Sequence, residues 1–182
     1  MTPSDDSQIP QDAGAQSSNP NGILAFQTLG DYLKEDEWYP RRMEGKYAFT
    51  MGFTGRNGDL RCYAIIHPDL EEFLFYAVAP IKVPEEVRSA ASEFITRANY
   101  GMRIGNLEMD YSDGEVRYKS SLNFEDEPLT PGMIRNTIYP CVHTLDRYLP
   151  GLLRVSFGGA TPLEAIEEIE GPAAPAGDGE DQ

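Results

Sequence analysis

The chain has 182 residues, with 15 Lys and Arg against 30 Asp and Glu and a formal net charge of -15. That length supports one domain with a core of its own, while the charge repels polyphosphate and anionic lipid, which argues against nucleic-acid binding and membrane insertion. Cys62 and Cys141 are the only cysteines and lack CxxC spacing, so neither a zinc site nor a disulfide framework is expected, and the absence of a long apolar run or a leader-like start makes the cytoplasm the expected location.

Residues 1–21 are polar, rich in Ser, Gln, Asn and Pro and free of aromatics. They cannot bury enough apolar surface to offset ordering entropy and are predicted to be a disordered tail. Residues 171–182 have the same character, which leaves 22–170 as a single domain. With Asn21 as N-cap, Phe26, Leu29 and Leu33 share one helical face, predicting a first helix to about Asp36. Lys46 to Thr54 alternates as a strand, with Tyr47, Phe49, Met51 and Phe53 on one face. Asn57-Gly58 suits a two-residue turn requiring positive φ, and pairing Arg56 with Asp59 places Phe53 opposite Cys62 and Met51 opposite Ala64. Phe73 to Ala79 is apolar on both faces and reads as a buried strand.

Pro84-Glu85-Glu86 opens a second helix, with Val87, Ala90, Ala91, Phe94, Ile95 and Ala98 on its face. Gly101 is placed to end it in a left-handed cap. A hairpin follows around Asp113-Gly114, whose register would set Asp110 against Arg117 and Glu108 against Lys119. A third helix, about Gly132 to Leu149, carries Ile134, Ile138, Cys141, Leu145, Tyr148 and Leu152 as a seam that can pack on its own sheet or on a second subunit. Its own sheet is the favoured choice, and Pro140 should kink the helix. Thr161 to Glu164 is a capping box for a short last helix. The order α-β-β-β-α-β-β-α with a short C-terminal helix predicts an α+β fold, an antiparallel sheet with helices packed on one face.

Few side chains are spaced for chemistry. Glu108 and Asp110 share a strand face but have basic cross-strand partners, so a cation site is not expected. His143 and Asp146 lie three apart on a helix without a nucleophile beside them and read as a surface pair. Arg41-Arg42 is too small a patch for nucleic acid. No catalytic, cofactor-binding or metal-ligating residue is assigned, and the chain is expected not to be an enzyme.

The passage Arg97-Ala98-Asn99-Tyr100-Gly101-Met102-Arg103-Ile104-Gly105-Asn106-Leu107-Glu108-Met109-Asp110, the following Asp113-Gly114-Glu115-Val116-Arg117-Tyr118, Thr161 to Ile166 and Val83-Pro84 resemble the YbjN-like family. The resemblance implies a type III secretion chaperone-like fold that often dimerises and a role in bacterial regulation or protein binding, without catalytic residues. Another protein is therefore the expected partner, with a homodimer as one form of assembly. From the residues themselves, Asn99, Tyr100, Arg103 and Tyr148 are the candidate partner-binding residues, although a capping and strand-entry role is the favoured reading of Asn99 and Arg103. The leading expectation is a non-enzymatic, chaperone-like or adaptor-like module. The alternatives are a small-ligand sensor or enzyme using a cleft between the sheet and the kinked third helix near His143, and a structural subunit of a larger assembly.

Overall fold

The computed structural model describes residues 19–171, so nearly all of the two segments read above as disordered lies outside the described residues. The first helix, α1 (Pro20–Glu35), begins two residues earlier than expected. Asn19, not Asn21, is its N-cap, and its side chain accepts from the N–H groups of Asn21 and Gly22. Asn21 lies inside the helix and donates its amide to Glu71 and to the carbonyl of Glu127. Pro20 favours this boundary because its fixed φ suits the first helical turn, where its missing N–H costs nothing.

Six antiparallel strands follow in the spatial order β1-β2-β3-β4-β6-β5, with ranges β1 (Arg41–Arg42), β2 (Ala48–Thr54), β3 (Asp59–His67), β4 (Glu72–Lys82), β5 (Asn106–Met109) and β6 (Glu115–Asn123). The two-residue β1 adds an edge to the five expected strands, and the exposed Arg41 and Arg42 are the kind of charge that discourages further pairing there. Helices α2 (Arg88–Tyr100), α3 (Pro131–Phe157) and α4 (Pro162–Glu170) complete the chain. A 3-10 turn at Glu85–Val87 precedes α2, in place of the helix expected from Pro84.

Phe49, Leu60, Cys62, Phe73, Phe75, Val116 and Tyr118 on one face of the sheet join the main core with residues of all four helices. Each large side chain removed from water in this way contributes roughly 2 kcal/mol before entropy is counted. The opposite face carries a smaller cluster of Ala48, Tyr63, Ile65, Tyr76 and Val78, with the Arg117 guanidinium 4.1 Å from the Tyr76 ring centre. The double-sided apolarity of β4 is thus met by helices on one side and by this patch on the other. All six seam residues of α3 are buried within the single chain, at 6% exposure or less, so the seam is spent on the chain's own core.

Both hairpins close two residues away from the expected register. In the first, Thr54 pairs with Asp59, Phe53 with Leu60 and Met51 with Cys62. Neither Asn57 nor Gly58 has positive φ. The turn is held from outside. Asp146, 8% exposed on α3, accepts from the backbone N–H groups of Arg56 at 3.0 Å and Asn57 at 2.8 Å. Pro150 cannot bond the Asp146 carbonyl four residues back, and the Asn57 side chain donates to that carbonyl at 2.9 Å. Gly55 is required for the approach, because a Cβ there would stand 2.1 Å from Asp146 Oδ1. The expected surface pair of His143 with Asp146 is therefore replaced by a buried clamp.

In the second hairpin, Glu108 pairs with Arg117 and Leu107 with Tyr118. Asp110 accepts from both the N–H and the hydroxyl of Ser112, which draws residues 111–114 into a longer turn. Asp110 therefore does not face Arg117. Glu108 binds Arg117 at 2.6 Å and keeps the expected Lys119 contact at 3.1 Å. Helix α3 runs to Phe157, well past the expected Leu149, with Pro140 and Pro150 inside it. The capping box at Thr161 and Glu164 forms as expected.

Candidate functional site

The end of α2 and the loop after it build one wall of an open cleft. Asn99 holds this end in place: its side-chain amide donates to the Leu107 carbonyl and its oxygen accepts from the Leu107 N–H, both at 2.8 Å. It thereby satisfies the backbone at the outer edge of β5, which would otherwise be open to another strand. Gly101 has φ -94 and does not form the expected left-handed cap; the left-handed residue is Gly105, φ 69, where a Cβ would stand 2.6 Å from the Lys119 carbonyl. Tyr118 donates its hydroxyl to the Ile104 carbonyl and anchors the loop from below. Tyr100 is 97% exposed and Ile104 51%.

Helix α3 supplies the facing wall. Pro140, Thr144, Arg147 and Tyr148 recur at helical spacing on one side of it, and Glu170 closes the end from α4. Together with Gly101, Met102, Arg103, Ile104 and Tyr118 they enclose a cleft of about 610 Å³. Tyr148 packs edge-on to Phe94 and donates its hydroxyl to Glu170. Arg147 lies 5.6 Å from the Tyr148 ring centre and donates to the Ile169 carbonyl at 3.1 Å, fixing the end of α4. Burial, reinforced by the bond to Glu170, pushes the Tyr148 phenol up to about 12, and burial raises Tyr118 as well. Both phenols are held protonated, as hydrogen-bond donors, which is the wrong direction for a base or nucleophile.

The cleft thus unites Arg103 and Tyr148 of the four residues singled out in the sequence. Arg103 is exposed on its lip and makes no hydrogen bond or ion pair among the described residues. Tyr100 stands beside the cleft, and Asn99 is consumed by the β5 edge. No sequence motif singles out Thr144, Arg147 or Glu170. The i, i+4, i+7 spacing of Pro140, Thr144 and Arg147 was their only local signal, and nothing local shows that α4 returns to them.

Two other groupings are closed. Asp36 Oδ2 accepts from Tyr32, Trp38 and Tyr139 at 2.9, 2.9 and 2.8 Å. Burial alone would raise this carboxyl, but the three donors hold it below the usual carboxylate range. His143 stacks on Tyr139 at 5.7 Å and meets Phe53 edge-on at 5.6 Å, so it is part of an aromatic cluster and not of the cleft. Cys62 and Cys141 are free and buried; burial pushes the Cys62 thiol up to about 12 and raises Cys141 too, leaving both thiols unreactive. Among the described residues no group of three or more His, Cys, Asp or Glu is placed to hold a metal ion, and no described helix is long and apolar enough to cross a membrane.

The model of the YbjN family, described as a putative bacterial sensory transduction regulator, matches residues 28–154. No curated protein matches the sequence. Among solved structures, the chain is similar to one in the ExsC-ExsE complex (12% identity, TM-score 0.49, 71% of this chain and 93% of that one). It is also similar to YbjN from E. coli (14%, 0.47, 66% and 85%) and to a chain of the HopA1-SchA chaperone-effector complex (13%, 0.46, 75% and 98%).

Proposed function

This chain belongs to the YbjN family, and from that premise we propose that it is a non-enzymatic, regulatory protein-binding adaptor whose docking surface is the cleft between the 100–105 loop and α3. The observation that carries the proposal is the pairing of an open 610 Å³ cleft with two projecting apolar side chains on the loop that forms its wall, Tyr100 at 97% and Ile104 at 51% exposure. Exposed aromatic and aliphatic groups rimmed by polar ones are the usual mark of a protein-interaction surface. The Tyr148 and Tyr118 phenols are raised by burial and donate their hydroxyls to Glu170 and the Ile104 carbonyl of the same chain, which disfavours their use as a base or nucleophile. The family description supplies a bacterial, regulatory setting, and the proposal places the action in the cytoplasm.

A photo-crosslinking residue in place of Tyr100, with the exposed Tyr39 (83%) as control, tests this reading in cells. A discrete protein adduct from position 100 and none from position 39 is expected. No adduct at position 100, or identical adducts at both positions, would overturn it.

A further inference from the structure

The cleft's charge is opposite to that of the chain. The protein carries a formal net charge of -15, so an acidic partner is repelled at long range and has to be recognised by a local feature. Arg97, Arg117, Lys119 and Arg154 each hold a carboxylate of their own chain. The two arginines of the cleft do not. Arg103 has no ion pair or hydrogen bond among the described residues, and Arg147 gives one donor to the Ile169 carbonyl, which fixes its direction while leaving guanidinium N–H groups over. The cleft's carboxylate, Glu170, is engaged by the Tyr148 hydroxyl. Met102, Ile104 and Pro140 supply apolar surface to the same cleft.

Resting on the reading of this cleft as a protein-docking surface, we infer that it takes a partner segment in which a carboxylate side chain adjoins an apolar one. Arg103 and Arg147 receive the carboxylate, and Met102, Ile104 and Pro140 receive the apolar group. Arginine suits this task because its planar fork binds a carboxylate through two parallel hydrogen bonds. A polypeptide fits better than a small free acid, since a small ligand inside the cleft would leave Tyr100, which stands beside it at 97% exposure, in water.

The test uses the full chain and two labelled octapeptides, one repeating Asp-Leu-Glu-Phe and its neutral Asn-Leu-Gln-Phe counterpart, in an anisotropy titration. The acidic peptide is expected to bind about tenfold more tightly than the neutral one, and Arg103→Gln should erase that difference while Arg103→Lys restores part of it; a tenfold change corresponds to about 1.4 kcal/mol. Equal affinity for the two peptides, no binding of either, or a preference that survives Arg103→Gln would overturn the inference. If the crosslink at position 100 persists in that case, the docking reading stands without the acidic preference; if it too is absent, both fall. Acidic binding that emerges only after Asp178, Glu180 and Asp181 are neutralised would assign the cleft to the chain's own terminal segment, and displacement by micromolar citrate would assign it to a small acid. Either result would overturn the partner assignment.

Discussion

The turn at residues 55–58 and the loop at residues 100–105 are both connections reaching toward α3, and they treat their polar groups in opposite ways. In the turn, the N–H groups of Arg56 and Asn57 and the Asn57 side chain all end on Asp146, which is itself buried. In the loop, Tyr118 and Asn99 anchor the ends, while Arg103, Tyr100 and Ile104 stay available to solvent. A connection whose donors are all consumed serves the fold, whereas one anchored at both ends with side chains to spare can serve a partner.

Asp146→Ala should show the largest effect. It strands two turn N–H groups and removes a buried carboxylate, so a loss of about 3 kcal/mol is expected in urea unfolding. Asn99→Ala comes next. It uncovers the N–H and carbonyl of Leu107, with a cost of about 1–2 kcal/mol and a rise in concentration-dependent association through the β5 edge, visible by sedimentation. Glu108→Gln should cost about 0.5 kcal/mol at neutral pH. Burial works against the Glu108 carboxylate, but the hydrogen bonds and charges of Arg117 and Lys119 outweigh it and hold the carboxyl below its ordinary range.

The sign of the Glu108 effect with pH follows from linkage. Because the folded carboxyl has the lower pKa, the unfolded chain takes up the proton first. The contribution is complete above the unfolded value of about 4.3 and is lost as the pH falls from there through the folded value. Glu108→Gln should therefore flatten the acid limb of a Tm against pH curve. The smallest effect on stability belongs to Arg103→Gln, within about 0.5 kcal/mol of wild type by thermal unfolding, as for a surface side chain without partners. A large loss there would break the contrast between the two connections.

The same contrast explains what the amino-acid pattern reveals and what it hides. The alternation of β2, the Thr161 capping box and the α3 seam are local signals, and each appears in the structure. Both hairpin registers differ from expectation by two residues, because an Asn-Gly or Asp-Gly pair advertises a short turn while the deciding groups are Asp146, about ninety residues away, and Ser112 inside the turn itself. The shift is even, so every side chain stays on its expected face and the predicted core survives. The cleft was half legible. Arg103 and Tyr148 stand out in the sequence, but Arg147 and Glu170 join them only through the packing of α3 against α4. The buried role of Asp146 was hidden for a related reason: on its helix it resembles an ordinary surface acid, and only the glycine opposite it, Gly55, reveals the close approach.

Hydrogen exchange on the full-length protein, with and without the partner crosslinked through position 100, tests the central claim most directly. The account predicts new protection across residues 100–106 and along α3 from Pro140 to Tyr148, with the 55–58 turn already protected and unchanged. Protection confined to the turn or to the sheet face of Tyr63 and Tyr76, with none at residues 100–106, would contradict it.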